Sequence, residues 1–250
     1  MKMTRALTPL AIAVAALVSA QQAAADMWMD GDYIIRVGAS WVDPDDSSDN
    51  FKLSEDWISA GFDLDSDTTW NISGAWKPVP HWGVELMYIG STSYDMDLKR
   101  IHDGDVTFDT DYDLGSFDAS YSNAFVNWYP LGPECLGQPY VGIGVNYTDF
   151  SDEGFSRALN DDLIDSGQTV NGADLGLGHS WGVTAQAGVD FRFGRDSAFL
   201  VNAAVLYVDT DTDFNTYYRS PLDPDVLVRD SVTDVDFSPW IFNLGIGYSF

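Results

Sequence analysis

The sequence predicts an all-β fold, an eight-stranded antiparallel up-and-down transmembrane β-barrel with short periplasmic turns and four long acidic external loops. Three observations support this prediction. The chain opens with an export signal, its apolar segments of period two alternate with acidic tracts, and its last segment ends on an aromatic residue. Together they indicate an exported chain that crosses lipid with strands.

The first 25 residues have the composition of a cleaved signal peptide. Lys2 and Arg5 precede an uncharged run, residues 6–20, and three alanines follow at residues 23–25. A positive region, an apolar region and a small-residue cleavage site in this order are typical of secretory signals. Cleavage before Asp26 is expected, and an earlier cut after Ala20 stays open. The mature domain is then residues 26–250, which has no run of about 18 apolar residues that would predict a transmembrane helix.

The charge of the chain limits its partners. The formal net charge is -27, and removing Lys2 and Arg5 leaves 10 basic against 39 acidic residues, or -29. Such acidity argues against nucleic acid as a partner. Cys135 is the only cysteine, so no intramolecular disulfide can form, and its place in a turn indicates an isolated thiol.

The acidic residues are concentrated in four tracts. Residues 43–69, 91–118, 149–179 and 209–238 contain 32 of the 39 Asp and Glu residues. The segments between them are nearly neutral and alternate between apolar and polar positions. This arrangement predicts loops that join strands.

Eight segments have the period of a strand. They are residues 32–42, 70–77, 82–90, 118–129, 139–149, 180–193, 199–209 and 239–250. Several have the roughly nine to eleven residues that a tilted membrane strand needs. The connections 77–81, 130–138 and 194–197 are short and the four acidic tracts are long, which is the asymmetry of outer-membrane barrels.

The sixth strand distinguishes a membrane barrel from a soluble one. Its bulky apolar face consists of Trp181, Val183, Ala185, Ala187, Val189 and Phe191. Its other face is small and polar, with Gly182, Thr184, Gln186, Gly188, Asp190 and Arg192. A soluble barrel would place the bulk inside and charge outside, so this pattern indicates lipid outside a narrow lumen.

Aromatic residues lie near the strand ends, where they are expected to form interfacial girdles. They are Trp41, Trp70, Trp76, Trp82, Tyr129, Trp181, Trp240 and Tyr248. The last strand repeats the pattern, with large apolar residues at even positions from Trp240 to Phe250 and small or polar ones between. A soluble sandwich also buries such a face, but outer-membrane barrels end in this way.

Several short stretches in one order carry a family resemblance. They are GDYIIRVGA (31–39), WGVEL (82–86), PYVGIGVNYTDF (139–150), SWG (180–182), AGVD (187–190), LVN (200–202), SPWIF (238–242) and GYSF (247–250). Over essentially the whole mature sequence, the chain resembles the OmpW family of small outer-membrane β-barrel proteins. Its external loops are longer and far more acidic than that pattern.

The resemblance implies a barrel in the bacterial cell outer membrane with an apolar lumen that admits small hydrophobic molecules, and it implies no cofactor. The partners implied are outer-membrane lipid, a small hydrophobic solute and the barrel-assembly machinery. The end of the chain is similar to the assembly signal that this machinery reads, at Asn243, Gly245, Tyr248 and Phe250.

Polar residues fix which face of each strand points inward. With both termini periplasmic, the markers lie at the periplasmic ends of their strands: Arg36, Lys77, Glu85, Asp190, Arg192 and Asn202. Three cations and two carboxylates that converge in a narrow lumen are expected to pair. The sequence therefore predicts a periplasmic charged plug of Arg36, Lys77, Glu85, Asp190 and Arg192.

The same inward phase predicts an apolar pocket above the plug. Its residues are Met87, Ile89, Phe125, Leu206, Val208 and Ile241, which are expected to line a funnel open to the outside. An apolar solute cannot readily cross a charged plug, so we expect lateral release through the barrel wall into the bilayer. The alternative is that these residues simply fill a small barrel that serves as a structural, surface-receptor or adhesion protein.

Two further chemistries receive less support. Alternating carboxylates at Asp109, Asp111 and Asp113 and again at Asp209, Asp211 and Asp213 suit divalent cations such as Ca²⁺, but they lack the glycine and closing glutamate of an EF-hand loop. A solvated acidic face, suited to cation bridging with lipopolysaccharide, is favoured, and no metal site is assigned.

No enzymatic site is expected either. The histidines are His81, His102 and His179, and His179 is followed directly by Ser180. A His-Ser dyad needs both side chains to meet with an orienting carboxylate, whereas neighbours on a strand point to opposite faces.

Overall fold

The computed structural model describes residues 32–44, 51–53, 58–103, 106–194, 197–236 and 238–250. The predicted signal peptide and its cleavage sites lie outside these residues. The elements, in chain order, are β1 Asp32–Asp43, β2 Phe51–Leu53, β3 Ile58–Leu64, β4 Asp67–Val79, β5 Trp82–Asp103, β6 Val106–Trp128, β7 Gly137–Phe155, α1 Arg157–Asp165, β8 Ala173–Leu177, β9 Ser180–Arg192, β10 Phe199–Val208, β11 Asp211–Arg219, β12 Leu227–Asp236 and β13 Trp240–Ser249.

Eight strands close into a barrel in the order β1, β4, β5, β6, β7, β9, β10, β13, with β13 paired back to β1. Every pairing around this ring is antiparallel, and successive barrel strands are neighbours. The predicted eight-stranded up-and-down barrel is confirmed. We call the end with the short connections the turn end and the opposite end the loop end.

The acidic tracts differ from the prediction, because much of their length is strand instead of loop. β5, β6 and β7 continue well beyond the predicted segments, β3 pairs with the extension of β5, and β8, β11 and β12 form a separate three-stranded sheet. Period two persists inside the tracts: Tyr94, Met96 and Phe117 are buried, whereas Asp95 between the first two is exposed. The acidic composition hid an alternation that the backbone ladder uses.

One helix, α1, interrupts the third tract. Ser156 is its N-cap, and the Ser156 hydroxyl accepts a hydrogen bond from the Leu159 amide at 3.1 Å. Among the described residues, no helix has the length and apolar character needed to cross a membrane.

The outward face of the barrel is apolar between two aromatic rings, as expected for a lipid contact. The ring nearer the loop end consists of Trp41, Trp70, Tyr88, Tyr147, Trp181, Tyr207 and Trp240, and the ring nearer the turn end of Tyr33, Trp76, Trp82, Trp128, Phe191, Phe199 and Tyr248. Tyr129 was wrongly predicted as a girdle residue. It is buried at the turn end of the lumen, because it follows the outward Trp128 and therefore turns inward.

Candidate functional site: the lumen and its wall

An ion network closes the lumen toward the turn end. Arg36 on β1 donates through Nε to Asp190 Oδ1 at 2.8 Å and through Nη2 to Asp190 Oδ2 at 2.5 Å. Its remaining Nη1 donates to Glu85 Oε1 at 2.8 Å. All three side chains are at least 97% buried, so one guanidinium joins carboxylates from β5 and β9 across the barrel.

Neutral side chains satisfy the other carboxylate oxygens. Glu85 Oε2 accepts from Asn127 Nδ2 at 2.7 Å and from Gln186 Nε2 at 3.0 Å. Asn202 Nδ2 donates both to Asp190 Oδ1 at 2.9 Å and to the Tyr140 hydroxyl at 3.0 Å. We call this group the charged layer: Arg36, Glu85, Asp190, Asn127, Gln186, Asn202 and Tyr140. Arg36 Nη1 also contacts the Ser73 hydroxyl of β4 at 3.5 Å. With this contact, side chains from seven of the eight barrel strands are hydrogen-bonded in the charged layer, so the layer spans the lumen.

At the level of the charged layer, β13 has a glycine, Gly247, instead of an inward side chain. A Cβ added at Gly247 would lie 2.7 Å from Leu200 Cδ1 and 3.1 Å from Arg36 Cγ. Glycine at this position therefore lets the Arg36 side chain pass close to the β13 backbone on its way into the lumen.

Two of the five predicted plug residues lie outside the charged layer. Lys77 is buried, with its Nζ 4.0 Å from the centre of the Tyr129 ring, a cation–π contact one level nearer the turn end. Arg192 lies at the rim, where its Nη2 is 3.9 Å from Asp32 Oδ2. Arg192 is two positions after Asp190 along β9, so the arginine is one inward step below the carboxylate. The structure brings Arg36, Glu85 and Asp190 together and stacks Lys77 beneath them.

The six residues of the predicted apolar pocket lie together between the charged layer and the loop end. Met87, Ile89, Phe125, Leu206, Val208 and Ile241 are each at most 4% exposed. With Val42 and Ala204 they form what we call the apolar cluster, which the aromatic residues Tyr94, Phe117 and Tyr121 cover toward the loop end. The pocket therefore differs from the expected open funnel in this conformation, because its side chains pack against one another.

Polar side chains run through the apolar cluster in two chains that the sequence reasoning missed. In one, Asn71 donates to Ser40 at 2.8 Å and Ser40 donates to Asn243 at 2.6 Å. In the other, Asn146 Nδ2 donates to Asn123 Oδ1 at 2.9 Å. All of these residues share the inward phase, so the alternation that located the charges also contains the signal for them.

The lipid-facing surface beside the apolar cluster is indented. A shallow depression of about 610 Å³ extends over the outward face from Ile35 on β1 to Trp181 on β9, and the outward residues Gly74, Ser122 and Ala124 along it are small. Its lining also includes inward residues: Ser73, Met87 and Asn123. We call it the wall depression. Just above it, the β5–β6 register shifts between Ile89 and Thr92, which interrupts the ladder.

The four residues of the predicted assembly signal lie on or next to β13. Asn243 points inward and bonds Ser40 and Met87 Sδ, the latter at 3.4 Å. Tyr248 packs between Phe199 and Phe250, with ring centres 5.2 and 5.1 Å away. Gly245 faces Gly38 across the ladder to β1, and the Phe250 amide donates to the Tyr33 carbonyl at 2.8 Å.

The described residues do not form the candidate cation site or the His179-Ser180 dyad. In the part of the chain whose side chains are described, no three His, Cys, Asp or Glu residues are placed to share a metal ion; the Asp109 and Asp111 side chains lie outside that part. The Ser180 hydroxyl bonds Asp211 Oδ1 at 3.2 Å, whereas the His179 ring packs against Tyr147, with ring centres 5.7 Å apart. The His102 side chain lies outside the described side chains.

Known proteins match this chain over nearly its full length. The model of the OmpW family matches residues 29–250. Outer membrane protein W of Escherichia coli (strain K12) is 29% identical over 244 residues, which cover 98% of this chain and 99% of the relative. The crystal structure of the outer membrane protein OprG from Pseudomonas aeruginosa is 31% identical with a TM-score of 0.68, over 88% of this chain and 96% of that one. The solid-state NMR structure of outer membrane protein AlkL in DMPC bilayers, 19% identical with a TM-score of 0.57 over 90% of this chain and 92% of that one, is alike in fold. The predicted outer-membrane location is confirmed.

Proposed function

This chain belongs to the OmpW family of outer-membrane barrels, and we propose that it admits small hydrophobic molecules into the apolar cluster and releases them sideways into the bilayer. The family is not known for enzymes, and we propose no enzymatic activity for this chain. In this proposal the loop end faces outward and the turn end faces the periplasm.

The observation that carries the proposal is the stacking of the apolar cluster on the charged layer. An apolar solute can replace contacts among Met87, Leu206 and their neighbours with contacts to itself, since dispersion and hydrophobic contacts are not directional. It cannot replace the Arg36 bonds to Glu85 and Asp190, because separating buried charges without new partners is strongly unfavourable. A solute that enters from the loop end therefore first meets the apolar cluster, whose contacts it can replace, and then the charged layer, whose bonds it cannot replace.

The wall depression supports sideways release. Its lining includes the small outward residues Gly74, Ser122 and Ala124 among bulkier ones, with Met87 and Asn123 behind them, and the ladder is interrupted just above it. At the small outward residues, the barrier between the apolar cluster and lipid is the strand backbone with the inward side chains of Met87 and Asn123. Every backbone group at membrane depth must keep a partner, so release is expected where the ladder is already irregular.

A filled barrel with a structural, surface-receptor or adhesive role is the second candidate. The low exposure of the cluster, 4% or less for each of its six predicted residues, favours it. In that case the extensions beyond the girdles would carry the function, and substitutions in the lumen would change only stability.

Uptake of a hydrophobic tracer by cells that carry the protein separates the two candidates. We expect Leu206→Asp and Met87→Asp to reduce passage strongly, because a carboxylate in the cluster repels an apolar solute. Barrel folding is checked by the gel mobility of unheated samples. Unchanged passage in folded variants would leave the filled barrel as the better account.

A glycine pair tests the sideways step separately. A Cβ added at Gly74 would meet no atom within 4 Å, so Gly74→Leu is expected to extend into the wall depression and to slow release. Gly154, near the end of the β7 extension, is equally open, and Gly154→Leu is the matched control. Equal passage through both variants would argue against the wall depression as the exit.

We also infer the remaining partners from the surface of the barrel. Asn243, Gly245, Tyr248 and Phe250 are proposed as the signal for the barrel-assembly machinery, with outward aromatics beside a closed seam to β1. Deleting Phe250 is expected to lower the folded amount in the outer membrane. The acidic extensions are proposed to contact lipopolysaccharide through bridging divalent cations, which a chelator would release.

A further inference from the structure

We infer that Asn123 gives the lumen a preference for hydrophobic molecules that carry one neutral oxygen acceptor, such as a ketone, over plain hydrocarbons. This inference rests on the proposed function, because it names the chemical class of the molecule that enters the apolar cluster. It assigns Asn123 as a specificity-determining residue.

Asn123 is buried in the lumen wall, where it is 3% exposed. On the ladder of the barrel it lies opposite Met87 of β5 and Asn146 of β7. Its Oδ1 accepts from Asn146 Nδ2 at 2.9 Å, and Asn146 Oδ1 accepts from the Thr148 hydroxyl at 2.6 Å. This chain of bonds fixes the orientation of both amides.

The side-chain amide nitrogen of Asn123 takes no part in these hydrogen bonds. Within the part of the chain that the structure describes, Asn123 Nδ2 is a buried donor with no acceptor. A buried donor without a partner is more costly than an ordinary hydrogen bond is favourable. An acceptor oxygen brought by a ligand would remove that cost, whereas a hydrocarbon would leave it in place.

The surroundings of Asn123 indicate the rest of the ligand. Its neighbours on the inward face are Met87 and Phe125, both buried in the apolar cluster, and Asn123 also belongs to the lining of the wall depression. A molecule with an apolar body and a single oxygen would therefore place its body in the cluster and its oxygen at Nδ2. The site is small and sits where the proposed route leaves the lumen.

Electrostatics favour a neutral oxygen over a carboxylate. The chain carries a formal charge of -27, and Arg36 is already bonded to both Glu85 and Asp190. An anion at Asn123 would enter an acidic protein, and the nearest lumen cations lie below it: Arg36 in the charged layer and Lys77 beneath that layer against Tyr129. A ketone accepts the same hydrogen bond without that penalty.

The test compares dodecane with 2-dodecanone, which share an apolar body and differ in one acceptor. Whole cells with wild-type protein are expected to take up the ketone about fivefold to tenfold faster relative to the alkane, after subtraction of cells without the protein. Asn123→Leu and Asn123→Met are expected to remove this preference, measured as the ratio of ketone to alkane uptake, so that a change in passage common to both solutes cancels. Both replacements remove the N–H donors and add no charge to the lumen.

Asn71→Leu is the matched control, because Asn71 is also a buried lumen amide but its Nδ2 already donates to Ser40. Retention of the ketone preference in this variant and its loss in the two Asn123 variants supports the inference. Equal ketone preference in wild type and folded Asn123 variants overturns it while the proposed function stands. Passage of neither solute above background overturns the proposed function itself.

A binding measurement keeps the inference testable if a variant does not fold. In wild-type protein in lipid nanodiscs, 2-dodecanone is expected to shift the NMR signals of the Asn123 side-chain amide, and dodecane is expected not to. Absence of a ketone-specific shift would overturn the inference.

Discussion

The two halves of the lumen occupy the same barrel yet are stabilised in different ways. The charged layer is held by directional bonds from seven strands, in which one guanidinium satisfies two carboxylates at 2.5 to 2.8 Å. The apolar cluster is held by contacts without direction, interrupted by short chains of amides and hydroxyls. One barrel therefore combines a charged layer held by directional hydrogen bonds with an apolar cluster held by contacts that have no fixed direction.

The difference arises from which residues occupy successive inward positions of the same strands. Along β5, Glu85 lies in the charged layer, and Met87 and Ile89 lie in the apolar cluster. Along β10, Asn202 is followed by Ala204 and Leu206 in the same way. The charged layer and the apolar cluster thus lie at different depths along the same strands. Substitutions at inward positions two residues apart are therefore expected to change the free energy of unfolding by different amounts.

The largest effect is expected when the centre of the charged layer is removed. Arg36→Met leaves Glu85 and Asp190 buried without their cation, and we expect it to lower the free energy of unfolding by about 3–5 kcal/mol. Urea unfolding in lipid vesicles measures this. Arg192→Met is the control, since the rim contact with Asp32 is long and partly exposed and should contribute at most about 1 kcal/mol. Similar losses in both variants would contradict the distinction between layer and rim.

A smaller effect is expected in the apolar cluster. Leu206→Ala removes a fully buried side chain, and the expected loss is about 2–3 kcal/mol, toward the low end for buried leucines, if the cluster yields as proposed. Ion conductance in planar bilayers should stay at the wild-type level, because the charged layer is intact. A conducting Leu206→Ala barrel would show that the cluster, and not the layer, closes the lumen.

The smallest of the three effects is expected at the edge of the charged layer. Gln186→Leu removes the 3.0 Å bond to Glu85 and the 2.8 Å bond to Asn127, yet Glu85 keeps Arg36 and Asn127 as donors. The expected loss is about 1–2 kcal/mol by urea unfolding. A loss as large as that of Arg36→Met would mean that the layer acts as one indivisible network.

The alternation of the sequence predicted the barrel strands and most inward side chains, because period two is a local property of a strand with unlike faces. It placed Met87, Leu206 and Ile241 inside, and Arg36, Glu85 and Asp190 at one level. The same rule places Tyr129 inward, and treating it as a girdle residue from its aromatic character alone gave the wrong side.

What sequence could not supply was the pairing between distant strands. The bonds of Arg36 to Asp190 and of Glu85 to Gln186 join residues 154 and 101 positions apart, and they depend on the stagger of the closed barrel. Composition also misled: the acidic residues around Tyr94 and Phe117 indicated loops, although the backbone ladder continues there. The apolar residues between the acidic ones carry the strand signal.

Photo-crosslinking with a hydrophobic diazirine tracer in lipid vesicles tests the central claim most directly. If the apolar cluster admits solutes above a closed layer, mass spectrometry should find adducts on the inward residues Met87 and Leu206 and none on Asn127 or Gln186. Adducts confined to outward residues such as Leu86 and Val145 would show that the tracer reaches only the lipid face and that the lumen is filled.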